Sequence, residues 1–466
     1  MQNTSMKPEK ICASIMLSIL ILIFLTVCLR FFIKNIVYEK LHVNNPFVNF
    51  FLSDDVSVDD SGIDSEETLQ TDNIDWESIY QFDGSGYSNY HPENILSKFS
   101  NKVFRLEDKI DIYTNDLLLF QQQCAIFTGY IENCLSWKLT NPVKNDIIYM
   151  SNGYLTFPTP QASEDDIYDI ANSIGDFNKF LGENNIPLIY ANAGTKVCPW
   201  NRQIFNRSVE YSNDNADQLI KALKEKRVDV IDYREEILNA DLDWYNSYYI
   251  TDHHWTNKTA LWAGGILADR LNSKYDFSFN KKYFEADSYT IQKFKDYWLG
   301  ANGRRVTLSK SHLEDYDLIL PAFDTDLTVS IPSEKVNMRG NYKSVLFRSE
   351  LFDDIAGYNE YDHMNKPGAY NCIVPQSDAQ MTIHNNNSPD NAGKKILLIQ
   401  DSYGWYLSTY LACDIEETDI IYPASFDGSL RSYIKKSKPD AVVILYNSAQ
   451  IKSIDWTQHK DLFDFR

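Results

Sequence analysis

Two short blocks of the sequence, Asp252-His253-His254-Trp255 and Asp401-Ser402-Tyr403, bring together a carboxylate, imidazoles and a hydroxyl across roughly 150 positions. Those groups are what acyl transfer through a serine requires. An imidazole must take the serine proton, a carboxylate must hold the imidazole in one tautomer and stabilise its charged form, and the hydroxyl must attack a carbonyl carbon. Residues two apart in an extended segment point to the same side, so the Asp252 carboxylate can reach the His254 ring. His253 is the competing base.

Each piece also has a plain structural use. Asp or Ser directly after a strand caps a helix, and Trp255 can serve as a pocket wall or as core. Asn447 ends an apolar run, where Asn is a turn residue, and it is equally a candidate donor to a developing oxyanion beside the backbone N–H of Ser402. Tyr403, Arg304 and Arg305 are candidate substrate contacts, the two arginines being ordinary surface charges on the alternative reading. Asp-His-His is also the mark of metal-dependent DHH phosphoesterases, whose site needs further aspartates and histidines. Asp241 and Asp243 stand too close upstream to supply them, so no metal and no cofactor is expected.

The elements that must position these residues alternate. Asp146 to Phe157 reads as two strands around an Asn152-Gly153 turn. Ile167, Ile170, Ala171, Ile174, Phe177, Phe180 and Leu181 repeat at helical spacing before an apolar strand, Ile186 to Ala193. Helix Ala216 to Lys226, strand Val228 to Tyr233 and helix Lys258 to Leu271 follow. Positions 272–393 read as an irregular, aromatic-rich insertion. Alternation resumes with strand Lys395 to Gln400, helix Tyr403 to Leu411, strand Thr418 to Tyr422, helix Gly428 to Lys436 and strand Ala441 to Tyr446. Short apolar strands alternating with helices predict an α/β fold, a parallel sheet with helices on both faces. Ligands bind such sheets at the carboxyl ends of the strands, which is where Ser402 falls.

Asp252-His253-His254-Trp255, the Asn152-Gly153-Tyr154-Leu155 turn and Asp401-Ser402-Tyr403-Gly404 together resemble the bacterial DHHW proteins. They are similar to the SGNH-hydrolase-like proteins that O-acetylate alginate and other exopolysaccharides. The resemblance covers roughly Phe104 to Asn447, with the circularly permuted order in which Asp-x-His precedes the serine. It implies Asp252 as the orienting carboxylate, His254 as general base by the Asp-x-His-Trp pattern, and Ser402 as nucleophile. Gln400 departs from the family's Gly-Asp-Ser block. The implied activity is O-acetyl transfer to a cell-surface or secreted polysaccharide, with a carbohydrate acetylesterase or a noncatalytic glycan binder as the alternatives. The implied partner is a membrane-bound O-acyltransferase that supplies acetyl groups.

Composition fits a folded chain: of 466 residues, 44% are hydrophobic and 14% aromatic. A formal net charge of -21 argues against a nucleic-acid partner, which would require a basic footprint. Ile11 to Leu29 is apolar for long enough to cross a bilayer, and without a small-residue exit it reads as a retained anchor, not a cleaved signal. Flanking lysines and arginines do not fix its orientation; the family resemblance places the bulk of the chain outside the cytoplasm. The expected organisation is a flank at 1–10, a transmembrane anchor at 11–33, an acidic stalk at 34–77, a helical segment at 78–145 and the SGNH-like domain at 146–466. Cys12 and Cys28 fall in the anchor. Cys124, Cys134, Cys198, Cys372 and Cys413 show no CxxC spacing; the close pair Cys124 and Cys134 is expected as two buried free thiols, a bridge between them being the alternative.

Overall fold

The computed structural model describes residues 143–144, 147–204, 208–308, 310–347, 380–387, 389–452 and 462–466, all within one compact unit, Thr128–Arg466. The expected anchor, acidic stalk and the helical segment before residue 143 lie outside the described residues. Among the described residues, no helix is long and apolar enough to cross a membrane.

The described part opens with three short antiparallel strands, β1 (Val143–Lys144), β2 (Ile147–Tyr149) and β3 (Leu155–Thr156). The turn between β2 and β3 carries Gly153 at φ +90, a conformation that glycine adopts without a Cβ clash. Helix α1 (Glu164–Glu183) starts at a capping box, in which Ser163 and Asp166 satisfy each other's backbone N–H groups. All seven residues expected on its apolar stripe are buried. There follow β4 (Leu188–Ala193), α2 (Ser212–Glu225), β5 (Asp229–Asp232), α3 (Tyr233–Asn239) and α4 (Asn257–Lys274).

Within the segment expected to be an irregular insertion, the described residues include five strands. The segment contains β6 (Tyr289–Trp298), α5 (Ala301–Val306), β7 (Glu314–Pro321), β8 (Leu327–Ile331), β9 (Val336–Gly340), α6 (Tyr342–Leu346) and β10 (Gln380–Asn385). β6 and β7 form a separate antiparallel ribbon, whereas β8, β9 and β10 join the main sheet. The missed signal is period two: Leu327, Val329 and Ile331 are buried between half-exposed neighbours, as are Met381, Ile383 and Asn385.

The last elements are β11 (Asn391–Gln400), α7 (Gly404–Leu411), β12 (Ile415–Ile421), α8 (Leu430–Ser437) and β13 (Ala441–Asn447). The main sheet runs β5-β4-β13-β11-β12-β10-β8-β9. Its first five strands are mutually parallel, while β10, β8 and β9 pair antiparallel. The sheet is thus mixed where an all-parallel one was expected. Antiparallel strands need no buried crossover and tolerate one half-exposed face, which matches the alternating burial of β8 and β10.

The parallel strands are buried on both sides, and their residues divide between two cores. Ile396, Leu398, Val443 and Leu445 pack with Leu261 and Leu267 of α4 and Leu407 and Leu411 of α7. Leu397, Ile399, Val442 and Ile444 pack with Ile170 and Phe177 of α1, Leu219 of α2 and Ile434 of α8. This two-faced burial fixes the register, because a one-residue slip would exchange the two sets. The register pairs Asn447 with Ala193 and Gln400 with Leu445, so the ends of β4, β11 and β13 share one edge.

Candidate active site

Ser402 sits in the turn between β11 and α7, on that edge. Asp401, just before it, is buried and organises the turn. Its carboxylate accepts the N–H of Tyr403 (3.0 Å) and of Asn447 (2.7 Å), and its carbonyl accepts from Gly404 (3.0 Å). Burial pushes the Asp401 carboxyl up to about 7, against those two donors. At the position of the departure from Gly-Asp-Ser, the Gln400 side chain is buried against Gly404, where an added Cβ would strike its amide. A glycine at 404 therefore accommodates the glutamine at 400.

The Asp252-His253-His254-Trp255 block forms a pinned loop. Tyr249 N donates to His254 O (3.1 Å), Thr256 N to Ser247 O (2.9 Å), and Tyr248 bridges Trp255. Thr256 then caps α4 through Thr259 N. Within the loop, His254 Nδ1 lies 2.6 Å from Asp252 Oδ1 and His254 Nε2 lies 2.7 Å from Ser402 Oγ. Because an ionised carboxylate only accepts, the proton belongs on Nδ1, which leaves the Nε2 lone pair facing the serine hydroxyl. Asp252 Oδ1 also accepts the His254 N–H (3.1 Å), and Oδ2 accepts the N–H of Ala301 (2.8 Å).

Burial acts to raise the Asp252 carboxyl, yet the two imidazoles, the His254 hydrogen bond and the Ala301 N–H hold it well below the ordinary carboxylate range. For His253, burial and then the neighbouring His254 ring push the imidazole well below the usual histidine range. It is therefore neutral near neutral pH, where the His254 bond and the Ala301 N–H do the work on Asp252. His253 packs at a tilt against His254 with ring centroids 3.9 Å apart, and its Nδ1 is 3.7 Å from Asp252 Oδ1. Of the two histidines, His254 is the one with a bond to Ser402 among the contacts described.

The other expected residues take different places. Trp255 is fully buried, donates from Nε1 to Tyr403 O (3.1 Å) and packs on the Tyr403 and Tyr233 rings; it is core, not a substrate contact. Tyr403 is also buried, with its hydroxyl given to His253 O and its ring 5.1 Å from that of His254, so it braces the loop from inside. Asn447 places its side-chain amide on Ala193 O (3.3 Å) and Gly194 O (3.0 Å) and accepts from Ala449 N (2.9 Å). Both amide hydrogens are thereby committed to tying β13 to the end of β4, and the oxyanion expectation at Asn447 is corrected to this tie. Arg304 is half-buried, donating from Nε to Leu299 O (2.9 Å), and feels the Asp252 charge. Arg305 is exposed, and its charge reaches His253. Asp241 and Asp243 are exposed, Asp243 accepting from Asn246 N (2.9 Å).

Asp252, His253 and His254 offer three donor atoms within 4.8 Å, a spacing that could hold a metal ion. Asp252 Oδ1 is already engaged by the Nδ1 and backbone N–H of His254, and a metal bound through His254 Nδ1 would have to displace the ring proton from that bond. Cys198 and Cys413 are buried free thiols, whereas Cys124 and Cys134, the pair for which free thiols or a bridge are expected, lie outside the described residues.

Several residues that shape the site carry no motif. Lys196, in the loop after β4, is buried and donates from Nζ to Tyr249 O (2.6 Å), Ile250 O (3.0 Å) and Asp252 O. Glu314, at the start of β7, accepts from Ile250 N (2.7 Å), Thr251 N (2.9 Å) and the Thr251 hydroxyl. Gly300 approaches so closely that an added Cβ would lie 2.5 Å from Asp252 Cβ. A lone Lys in an apolar loop and a lone Glu in a segment read as irregular give no sequence signal of these contacts.

Comparison with known proteins agrees with this architecture. Residues 151–296 match the family model of the SGNH hydrolase-like domain of the acetyltransferase AlgX; Asp252 and His254 fall inside that span and Ser402 outside it. Bacillus cereus PatB1 superimposes with a TM-score of 0.53 at 16% identity, over 69% of this chain and 99% of PatB1. PatB1 with a sulfonyl adduct gives 0.52 at 17% identity over the same shares. A DHHW family protein from Eubacterium siraeum gives 0.50 at 14% identity, over 68% of this chain and 95% of that one. At these identities the structural likeness shows the fold. Among curated proteins none matches the chain by sequence. By family model and fold together, the chain is similar to the DHHW and SGNH hydrolase-like O-acetylation proteins that its two motifs resemble.

Proposed function

We propose that the chain is a serine-dependent O-acetyltransferase that esterifies a hydroxyl of a polysaccharide. The observation that carries this reading is His254 held between Asp252 at 2.6 Å and Ser402 at 2.7 Å. In the first half-reaction His254 Nε2 takes the Ser402 proton as Oγ bonds to the acyl carbon, and the carbonyl electron pair moves onto oxygen. The oxyanion is received by the Ser402 N–H at the turn. Its collapse expels the donor's leaving group, which takes the proton from His254, and leaves acetyl-Ser402. In the second half-reaction a sugar hydroxyl gives its proton to His254 and attacks the acetyl carbon. Ser402 leaves with that proton, and the sugar ester is released. With water in place of the sugar, the same residues make an acetylesterase.

The anchor read at Ile11 to Leu29 would hold this domain at the outer face of a membrane. There a membrane-bound O-acyltransferase would supply the acetyl group. PatB1, solved with a sulfonyl adduct, suggests a direct probe, since sulfonyl fluorides modify activated serines.

The test uses the purified full chain and its Ser402→Ala variant, one sample of each treated with a sulfonyl fluoride and a separate, untreated sample given p-nitrophenyl acetate and a panel of oligosaccharides. Serine-dependent labelling at Ser402 with acetylated sugar by mass spectrometry is the expected result. Serine-dependent p-nitrophenol without acetylated sugar would make the protein an esterase. Neither labelling nor turnover, with the fold intact, would refute the acyl-serine reading and leave a glycan binder.

A further inference from the structure

Tyr249 to Asp252, the peptide run leading into the Asp252–His254 pair, lies between two buried groups of opposite charge. On one side the Lys196 ammonium takes the carbonyls of Tyr249, Ile250 and Asp252. On the other the Glu314 carboxylate takes the N–H groups of Ile250 and Thr251 and the Thr251 hydroxyl. The backbone polarity is thus matched at both ends, carbonyls toward the cation and N–H groups toward the anion. We propose that Lys196 and Glu314 are positioning residues for the acyl-transfer site: together they fix the Asp252 peptide so that its carboxylate meets His254 Nδ1.

Three further observations support this assignment. Lys196 is 1% exposed and Glu314 7% exposed, and groups of this kind stay buried and charged only when charge and hydrogen bonds compensate them. Burial lowers the Lys196 ammonium and raises the Glu314 carboxyl, each opposed by the other's charge. The clamp also extends to the far side of Asp252. Thr251 Oγ1 accepts the Gly300 N–H (2.9 Å), Thr251 O accepts the Gly303 N–H (2.8 Å), and Asp252 Oδ2 accepts from Ala301. Glu314 therefore anchors the residue, Thr251, that holds the Gly300–Gly303 turn against Asp252. The loop after β4 and the neighbouring pair formed by the turn into α5 and the start of β7 come from opposite sides of the sequence around residues 249–252 and converge on this one stretch of backbone.

The inference builds on the acyl-transfer reading, so its test includes a readout that needs no turnover. In the full chain, the His254 Nδ1 proton bonded to Asp252 should give a proton resonance downfield of the amide envelope, assigned by its loss in Asp252→Asn. Lys196→Met keeps the side-chain length and removes the charge; Glu314→Gln keeps the shape and turns one acceptor into a donor facing an N–H. In either variant, with circular dichroism unchanged, the resonance should shift or vanish. Turnover of p-nitrophenyl acetate should lose about 10²-fold in kcat with KM held, the scale of an ångström of misplacement. A folded variant with resonance and kcat both unchanged would overturn the proposal. Should Lys196→Met not fold, Glu314→Gln decides by the same criteria. A wild-type chain that neither turns over nor labels would sink the acyl-transfer reading alone, while the resonance still decides the clamp.

Discussion

Replacing Asp252 by Asn changes one oxygen to NH₂ in a site where both oxygens are already assigned. Oδ1 accepts His254 Nδ1 (2.6 Å) and the His254 N–H (3.1 Å), and Oδ2 accepts the Ala301 N–H (2.8 Å). If the new amide turns its nitrogen to Ala301, two donors face each other in a buried place, at a cost of about 1–3 kcal/mol. If it turns its nitrogen to His254, the imidazole must move its proton to Nε2 to accept, and Nε2 can no longer take the Ser402 proton. In both orientations the negative charge that stabilises the imidazolium is gone. The combined loss expected in kcat is about 10⁴-fold, or about 5 kcal/mol of transition-state stabilisation. The assay is p-nitrophenyl acetate hydrolysis by wild type and variant, with thermal unfolding alongside. A folded Asp252→Asn protein within tenfold of wild type would refute the assignment of Asp252 as the orienting group.

Gly300→Ala places a methyl 2.5 Å from Asp252 Cβ and from the Thr251 carbonyl carbon; we expect about 1–3 kcal/mol of destabilisation by overpacking and a reduced kcat, read by denaturant titration and the same assay. His253 is held neutral in the fold, its folded pKa lying below the unfolded one. Below about pH 6.5 the unfolded chain therefore binds the extra proton and stability falls as pH drops. His253→Gln should flatten the slope of melting temperature against pH between about 6.5 and 4; an unchanged slope would show that His253 is not its source. Because the acceptor oxygen nearest His254 is engaged within the protein, turnover should survive exhaustive treatment with EDTA, and loss of activity restored by a divalent metal would reinstate the metal reading.

What the sequence determined is local in its physics. Helix α1 was legible because its seven buried residues recur at 3.6-residue spacing behind a Ser-Glu-Asp-Asp start. The strands β4, β11 and β13 were legible because a sheet covered on both faces needs unbroken apolar runs. Asp252, His254 and Ser402 were picked out by residue type, order and the i, i+2 spacing of the first two, all properties of short segments. The antiparallel strands β8, β9 and β10 were not, since a five-residue alternation such as Leu327–Ile331 is weak against an aromatic-rich background.

Tertiary structure alone decided how the remote pieces meet. It brought Ser402 to 2.7 Å from His254, buried Trp255 and Tyr403 as bracing, and spent the Asn447 amide on the end of β4. It also set Lys196 and Glu314 on opposite sides of the Tyr249–Asp252 backbone. Their partners are peptide carbonyls and N–H groups, which every residue possesses, so no pattern of side chains along the sequence could have announced them. A single buried Lys or Glu acquires its meaning only from the backbone dipoles that the fold turns toward it.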